Sequence, residues 1–220
     1  MKAWIEEDNI NYEYITRYLR DTIPQSEGHI ASMEEYAREH EVPISQPESI
    51  RLVEVLLKIA GAKRVLELGT AIGYSAIRMV RACGAHIVTV ELSDEMADLA
   101  EKNFSIAGVE NNVTLIRGDA RQVIAELPED EKFDVIFVDA AKGQYMEFFQ
   151  YCDKLLRKGG ILISDNVLYK GMTATDELVV RRKITIVRRL RNYLEMLKEN
   201  ENYSTALLPI GDGVALSFKE

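Results

Sequence analysis

Apolar and polar positions change their rhythm near residue 60. Before it, apolar residues recur at helical spacing over 10–19 (ended by Pro24), over 30–40 (followed by a break at Val42-Pro43) and over 47–59. In the third stretch Pro47 suits a first helical turn, and Ile50, Val53, Leu56 and Leu57 share one face. Beyond residue 63, short β-branched runs alternate with helix-length segments. The runs cover 64–68, 87–91, 113–117, 134–139 and 160–165, and most are continuously apolar. Parallel strands covered on both faces have that character. Segments 74–81, 93–107, 120–126 and 145–156 supply the helical crossovers. At the end, 206–209 and 214–218 flank Ile210-Gly211-Asp212-Gly213, which reads as a hairpin with a glycine-bearing turn. The pattern predicts an α/β fold with a Rossmann-like, seven-stranded, mostly parallel sheet and an antiparallel C-terminal hairpin. One domain uses residues 1–220, with 1–60 as an N-terminal helical lid region and 61–220 as the core.

Composition narrows the class. The chain has 220 residues, 47% hydrophobic and 29% charged, with five prolines, which is ordinary for a globular protein. No apolar run approaches the roughly 20 residues that span a bilayer, so no membrane partner is expected. The start, Met1-Lys2-Ala3-Trp4-Ile5-Glu6-Glu7-Asp8, carries acids where a signal peptide carries basic and then apolar residues. Two cysteines, Cys83 and Cys152, are too few for a disulfide framework, and a reducing, cytoplasmic location is expected. A net charge of −9 disfavours a protein coated in nucleic acid but leaves room for one basic patch.

The densest chemical signal is Val65-Leu66-Glu67-Leu68-Gly69-Thr70-Ala71-Ile72-Gly73-Tyr74-Ser75, a strand running through two glycines into a helix. Gly69 permits a sharp turn beside a ligand and Gly73 a close approach at the helix start. The spacing is G-x-x-x-G, not the G-x-G-x-x-G of dinucleotide sites, and Glu67 would repel a phosphate while pairing well with a cation. Glu91 ends the second strand, where an acid can accept hydrogen bonds from ribose hydroxyls. Asp119 ends the third, where an amino-purine edge could be read. An adenosine with a positively charged amino-acid tail fits these three acids, and S-adenosylmethionine is that ligand.

A second cluster follows. The fourth strand ends in Asp139-Ala140-Ala141-Lys142 and the fifth in Asp165-Asn166. Adjacent parallel strands bring their C-terminal ends together at the crevice where open α/β sheets bind ligands. Asp139, Asp165 and Asn166 then offer three oxygen donors, a set suited to Mg²⁺ or another hard divalent ion. Beside a dication an ammonium loses its proton more readily, which makes Lys142 a candidate general base. Taken alone, Asp165-Asn166 is a turn and Lys142 a solvated loop lysine.

Together these residues resemble the cation-dependent O-methyltransferase family that includes catechol and caffeoyl-CoA methyltransferases. The likeness runs from residue 43 onward and is carried by Leu66-Glu67-Leu68-Gly69, Gly73-Tyr74-Ser75, Glu91, Asp139 to Lys142, and Asp165-Asn166. It implies a class I methyltransferase fold and a homodimer. It further implies S-adenosylmethionine contacts from Ser45, Glu67, Gly69, Tyr74, Ser75, Glu91, Asp119, Ala120 and Asp139. Mg²⁺ would be held by Asp139, Asp165 and Asn166, with Asp139 and Lys142 catalytic. A narrower resemblance, to bacterial tRNA 5-hydroxyuridine methyltransferases, rests on Ala37-Arg38-Glu39-His40-Glu41-Val42-Pro43-Ile44 and on 70–79, 139–145, 166–171 and 209–215. It implies a tRNA anticodon loop as partner and 5-methoxyuridine at the wobble position as product. The O5 hydroxyl and O4 carbonyl of 5-hydroxyuridine are vicinal oxygens, as in a catechol, although the base must be splayed out to reach the site.

An RNA footing is expected in Arg181-Arg182-Lys183-Ile184-Thr185-Ile186-Val187-Arg188-Arg189-Leu190-Arg191, which has six basic residues and no acid. Arg181, Arg182, Arg188 and Arg189 recur at a spacing of seven and so share a helical face. Val180, Ile184, Val187, Leu190, Leu194 and Leu197 form the stripe opposite. Guanidinium groups in a row suit phosphates, but an amphipathic surface helix whose arginines pair with nearby acids fits equally well. His29, His40 and His86 show no metal-ligand spacing, Tyr145 and Phe148-Phe149 read mainly as core although Tyr145 is close enough to the site to stay a candidate there, and Trp4 is a candidate interface residue. Three rivals remain: an enzyme for small catechol-like or hydroxycinnamoyl acceptors, a non-catalytic S-adenosylmethionine-binding module, and an NAD-dependent oxidoreductase, which the glycine spacing disfavours.

Overall fold

The computed structural model describes residues 10–220, and Trp4 lies outside the described residues. Strand β1 (Arg64–Leu68) is buried at every position after Arg64, as its uninterrupted apolar run requires of a central strand. To one side lie β2 (His86–Glu91) and β3 (Val113–Arg117); to the other lie β4 (Phe133–Val138) and β5 (Leu156–Ser164). These five are parallel. The sheet is completed by β6 (Tyr203–Leu208) and β7 (Val214–Lys219), with β7 antiparallel to both β5 and β6. The order is β3-β2-β1-β4-β5-β7-β6, the predicted seven-stranded arrangement.

Each face of the sheet is covered. One core joins Val65 of β1 to α2 (Gly28–Glu39), α3 (Pro47–Ile59), α4 (Tyr74–Cys83) and α5 (Asp94–Ala107). The other joins Leu66 and Leu68 to α6 (Ala120–Glu126), α7 (Tyr145–Leu155) and α8 (Ile184–Glu199). Helix α3 shows how the pattern becomes packing. Ile50, Val53 and Leu57 on its inner face are at most 1% exposed, and burying each contributes roughly 1.5–3 kcal/mol. Its Glu54 pairs at 2.5 Å with Arg78 of α4, and losing one partner of such a buried pair costs about 3–5 kcal/mol. Helix α1 (Glu13–Asp21) buries no residue and is tied down by Arg20, whose guanidinium donates twice to Glu48 at 2.8 Å. Among the described residues no helix is long and apolar enough to cross a membrane.

The differences from expectation have local causes. Strand β5 begins at Leu156, four residues before the predicted start at Gly160, because Leu156 already pairs with Phe133 and the register shifts past a bulge. The polar, glycine-bearing Arg157-Lys158-Gly159-Gly160 hides that pairing. The basic segment is not one helix. Arg181–Lys183 form a 3-10 turn and α8 starts at Ile184, so Arg181 and Arg182 do not continue the face that bears Arg188 and Arg189. The apolar stripe is correspondingly shorter. Val180 and Ile184 are 49% and 50% exposed, and the buried face comprises Val187, Leu190, Tyr193 and Leu197.

Candidate active site

The strand order reverses at β1, which is flanked by β2 on one side and β4 on the other. Crossovers leaving in opposite directions open a crevice beyond the C-terminal ends of these strands. A cleft of about 540 Å³ fills it, lined by Ser45, Gly69, Tyr74, Ser75, Glu91, Asp119, Ala120, Asp139, Lys142 and Asn166, among others. Ten residues expected from sequence are thus brought together. Glu67 and Asp165 sit behind the wall, 0% and 1% exposed, and the four arginines do not line the cleft.

Glu67 supports the floor rather than forming it. Its carboxyl accepts hydrogen bonds from Ser75 and from Thr89, the latter at 2.6 Å. Thr89 lies directly across from Glu67 in the β1–β2 register and also meets Thr70 at 2.6 Å. Burial pushes the Glu67 carboxyl up to about 8, against the opposing pull of those two bonds. The folded chain therefore holds this proton to about pH 8, whereas an unfolded chain releases it near the usual carboxylate value. Stability then declines as pH rises through that window, on the order of 1.4 kcal/mol per unit. In Glu67→Gln, which mimics the neutral form, melting temperature without cofactor stays flatter than wild type between pH 5 and 8. Parallel curves would mean that Glu67 is already ionised in the fold.

Glu91 ends β2 with both oxygens engaged, accepting from the backbone N–H of Ala71 at 2.8 Å and of Ser93 at 2.9 Å. Asp119 caps α6, accepting from the Arg121 backbone N–H at 2.9 Å and from its guanidinium at 2.7 Å, which holds the carboxyl below the usual range. Arg121 thus competes for the carboxylate expected to read a purine edge. Tyr74, whose ring is buried at the start of α4, donates its hydroxyl to Glu34 of α2 at 2.7 Å.

On the far side of the cleft, Asp139 follows β4 and Asp165 follows β5, on strands paired through Val138 and Ser164. Burial raises both carboxyls. The charge of Asp139 raises Asp165 further, while Lys142 pulls both back down. Asp139 accepts from Ser45 at 3.1 Å, so the segment before α3 closes over this end. Asn166 takes a left-handed conformation (φ 56°), which asparagine tolerates better than most residues. Its backbone N–H donates to its neighbour Asp165 at 2.7 Å. Among the described residues no group of three or more His, Cys, Asp and Glu side chains could hold an ion. The donor set at this point is two carboxylates and an amide. Two buried carboxyls beyond adjacent strands, with a lysine close enough to lower both, fit a divalent cation by donor chemistry.

Residues 29–220 match the sequence profile of the O-methyltransferase family. The chain belongs to that family. Catechol O-methyltransferase from Niastella koreensis is 31% identical over 170 residues, 74% of this chain and 77% of its own length. A crystal structure described as a candidate caffeoyl-CoA O-methyltransferase from Staphylococcus aureus shares 33% identity, with a TM-score of 0.87, covering 94% of this chain and all of that one. An O-methyltransferase from Bacillus cereus, solved in complex with SAH, gives a TM-score of 0.82 at 26% identity, covering 94% of this chain and 97% of its own.

Two hydrogen-bonding roles around this O-methyltransferase's site escape sequence reasoning. Thr89 interrupts the apolar run Ile87-Val88-Thr89-Val90, and that lone inward polar residue was the available signal. Tyr145, read as core, is buried as expected, but its hydroxyl donates to the backbone oxygen of Asp165 at 2.8 Å.

Proposed function

We propose that the protein transfers a methyl group from S-adenosylmethionine to a hydroxyl with a second oxygen on the adjacent carbon, assisted by Mg²⁺ or another hard divalent ion. Catechol-like or hydroxycinnamoyl acceptors are the favoured class. The observation that carries the reading is the pair of carboxylates, Asp139 and Asp165, beyond adjacent strands with Lys142 beside them on the cleft. The relatives named for catechol and caffeoyl-CoA substrates support it.

Gly69 supports the donor side. A Cβ there would overlap the Asp139 backbone oxygen, so only glycine leaves the close passage between β1 and β4 intact. Ser45, Ser75 and Glu91 line the same cleft and offer groups for the amino-acid tail and the ribose. Asp139, Asp165 and Asn166 would hold the ion, which when bound supplies Lewis acidity toward a substrate hydroxyl. The acceptor oxygen bonds the methyl carbon as the carbon–sulfur bond breaks onto sulfur. With Lys142 as general base, the hydroxyl proton passes to its Nζ, leaving a methyl ether, S-adenosylhomocysteine and the protonated amine.

A second reading, 5-hydroxyuridine at the tRNA wobble position, is favoured by the basic segment. Arg191 pairs with Asp176 and Lys183 lies over the Tyr169 ring, but Arg181, Arg182 and Arg188 have no ion pair among the described residues. Arg189 donates to the Gly143 carbonyl at 3.2 Å, which puts that one arginine beside the Lys142 turn.

The deciding experiment is transfer from labelled S-adenosylmethionine to a catechol and to tRNA bearing 5-hydroxyuridine, each with and without EDTA. Catechol methylation abolished by EDTA is expected. Transfer that survives EDTA would overturn the cation. EDTA-sensitive transfer to tRNA alone would select the second reading. In that case Arg181→Ala with Arg188→Ala reduces tRNA methylation and lowers its salt slope by about one unit per lost phosphate contact.

A further inference from the structure

We infer that Tyr145 is a positioning residue that fixes the Lys142 turn against the two strand ends bearing Asp139 and Asp165. Lys142–Gln144 form a 3-10 turn and Tyr145 is the first residue of α7 directly after it. The Tyr145 side chain points back beneath the sheet end, 2% exposed. Its hydroxyl donates to the backbone oxygen of Asp165 at 2.8 Å and lies 3.4 Å from that of Val138, the residue before Asp139. One phenol thus reaches both strand ends, which are also joined by the Asp165 N–H donating to the Val138 carbonyl at 3.0 Å.

A buried phenol needs some acceptor, so a hydrogen bond alone would say little. The choice of acceptors says more, because both carbonyls belong to the strand ends rather than to the helix that carries the phenol. The ring is also held. Tyr193 of α8 meets it edge-on at 5.6 Å and 84°, and Tyr193 in turn reaches Ser164 at 2.7 Å. Packing from α8 and the hydrogen bond to β5 leave the turn little freedom to move Lys142 relative to the carboxylates. A partner that orients a ligand without touching the ion commonly changes ion affinity by about 10–100-fold when removed.

This inference rests on the reading that Asp139, Asp165 and Asn166 hold a divalent cation. Its test is Mn²⁺ binding followed by electron paramagnetic resonance in wild type, Tyr145→Phe and Tyr203→Phe. Tyr203→Phe is the control, since that hydroxyl bonds to Asp153 near the other end of α7 at 2.8 Å. Tyr145→Phe weakens Mn²⁺ about tenfold with little change in S-adenosylhomocysteine affinity, whereas Tyr203→Phe binds Mn²⁺ as wild type does. Equal Mn²⁺ affinity in wild type and Tyr145→Phe overturns the positioning role alone. Wild type that takes up no Mn²⁺ overturns the ion site as well. Amide exchange in the unmutated protein covers the case of a variant that does not fold. Mn²⁺ should slow exchange at 142–145 together with 165–166, and slowing confined to 165–166 overturns the inference.

Discussion

Replacing Lys142 by alanine lowers kcat on the accepted substrate by about 10²–10⁴-fold and leaves S-adenosylhomocysteine binding nearly unchanged. Lys142 lines the cleft three residues after Asp139, in a turn whose backbone is closed by the Gln144 N–H donating to the Ala141 carbonyl at 2.8 Å. Truncation removes the amine without removing that support. The same lysine lowers both raised carboxyls, so its loss also weakens their ionised forms. The comparison therefore belongs at saturating divalent ion. Lys142→Arg separates two roles, because a guanidinium keeps the charge but does not give up its proton near neutral pH. An arginine variant as slow as the alanine variant supports proton acceptance. One that retains wild-type kcat would reassign Lys142 to charge stabilisation.

Gly69→Ala is expected to damage the fold and the cleft together. Gly69 has φ 102°, outside the range of L-residues, and an added Cβ would lie 2.9 Å from the Asp139 carbonyl carbon besides overlapping its oxygen. Neither obstacle is a flexible side chain. Backbone strain of about 1–3 kcal/mol and overpacking of about 1–3 kcal/mol add to roughly 2–6 kcal/mol, a large part of the stability of an ordinary domain. Relief by moving β4 away from β1 would displace Asp139, so chemical denaturation and S-adenosylhomocysteine calorimetry should fall together. A variant that melts and binds as wild type does would show that this close passage is dispensable.

The sheet was legible because parallel strands buried on both faces leave continuous apolar runs, and the strand-end acids were legible because topology decides where such ends meet. Strand β5 was only partly so. Its first residue, Leu156, pairs with Phe133 in another run, and the polar, glycine-bearing Arg157-Lys158-Gly159-Gly160 separates it from the apolar stretch that follows. The same limit concealed Thr89, whose meaning depends on standing across from Glu67, and the bond made by the Tyr145 hydroxyl, whose acceptor lies just past the end of β5. The arginine spacing misled for another reason: a period of seven carries a face only along one uninterrupted helix, and a 3-10 turn intervenes.

The position of β1 bears on how the chain matures during synthesis. Its N-terminal end is anchored by the Asp134 carboxylate, which accepts from the Arg64 backbone N–H across 70 residues, and Ser45 meets Asp139 across 94. Until β4 emerges from the ribosome, β1 and β2 have an open edge of unpaired backbone groups at what becomes the middle of the sheet. Such edges invite pairing with other chains. The donor cleft cannot exist before that insertion either, since Asp139 forms one of its walls. Nascent chains stalled before residue 133 should therefore depend on chaperones and retain no S-adenosylhomocysteine, and both properties should change once β4 is exposed.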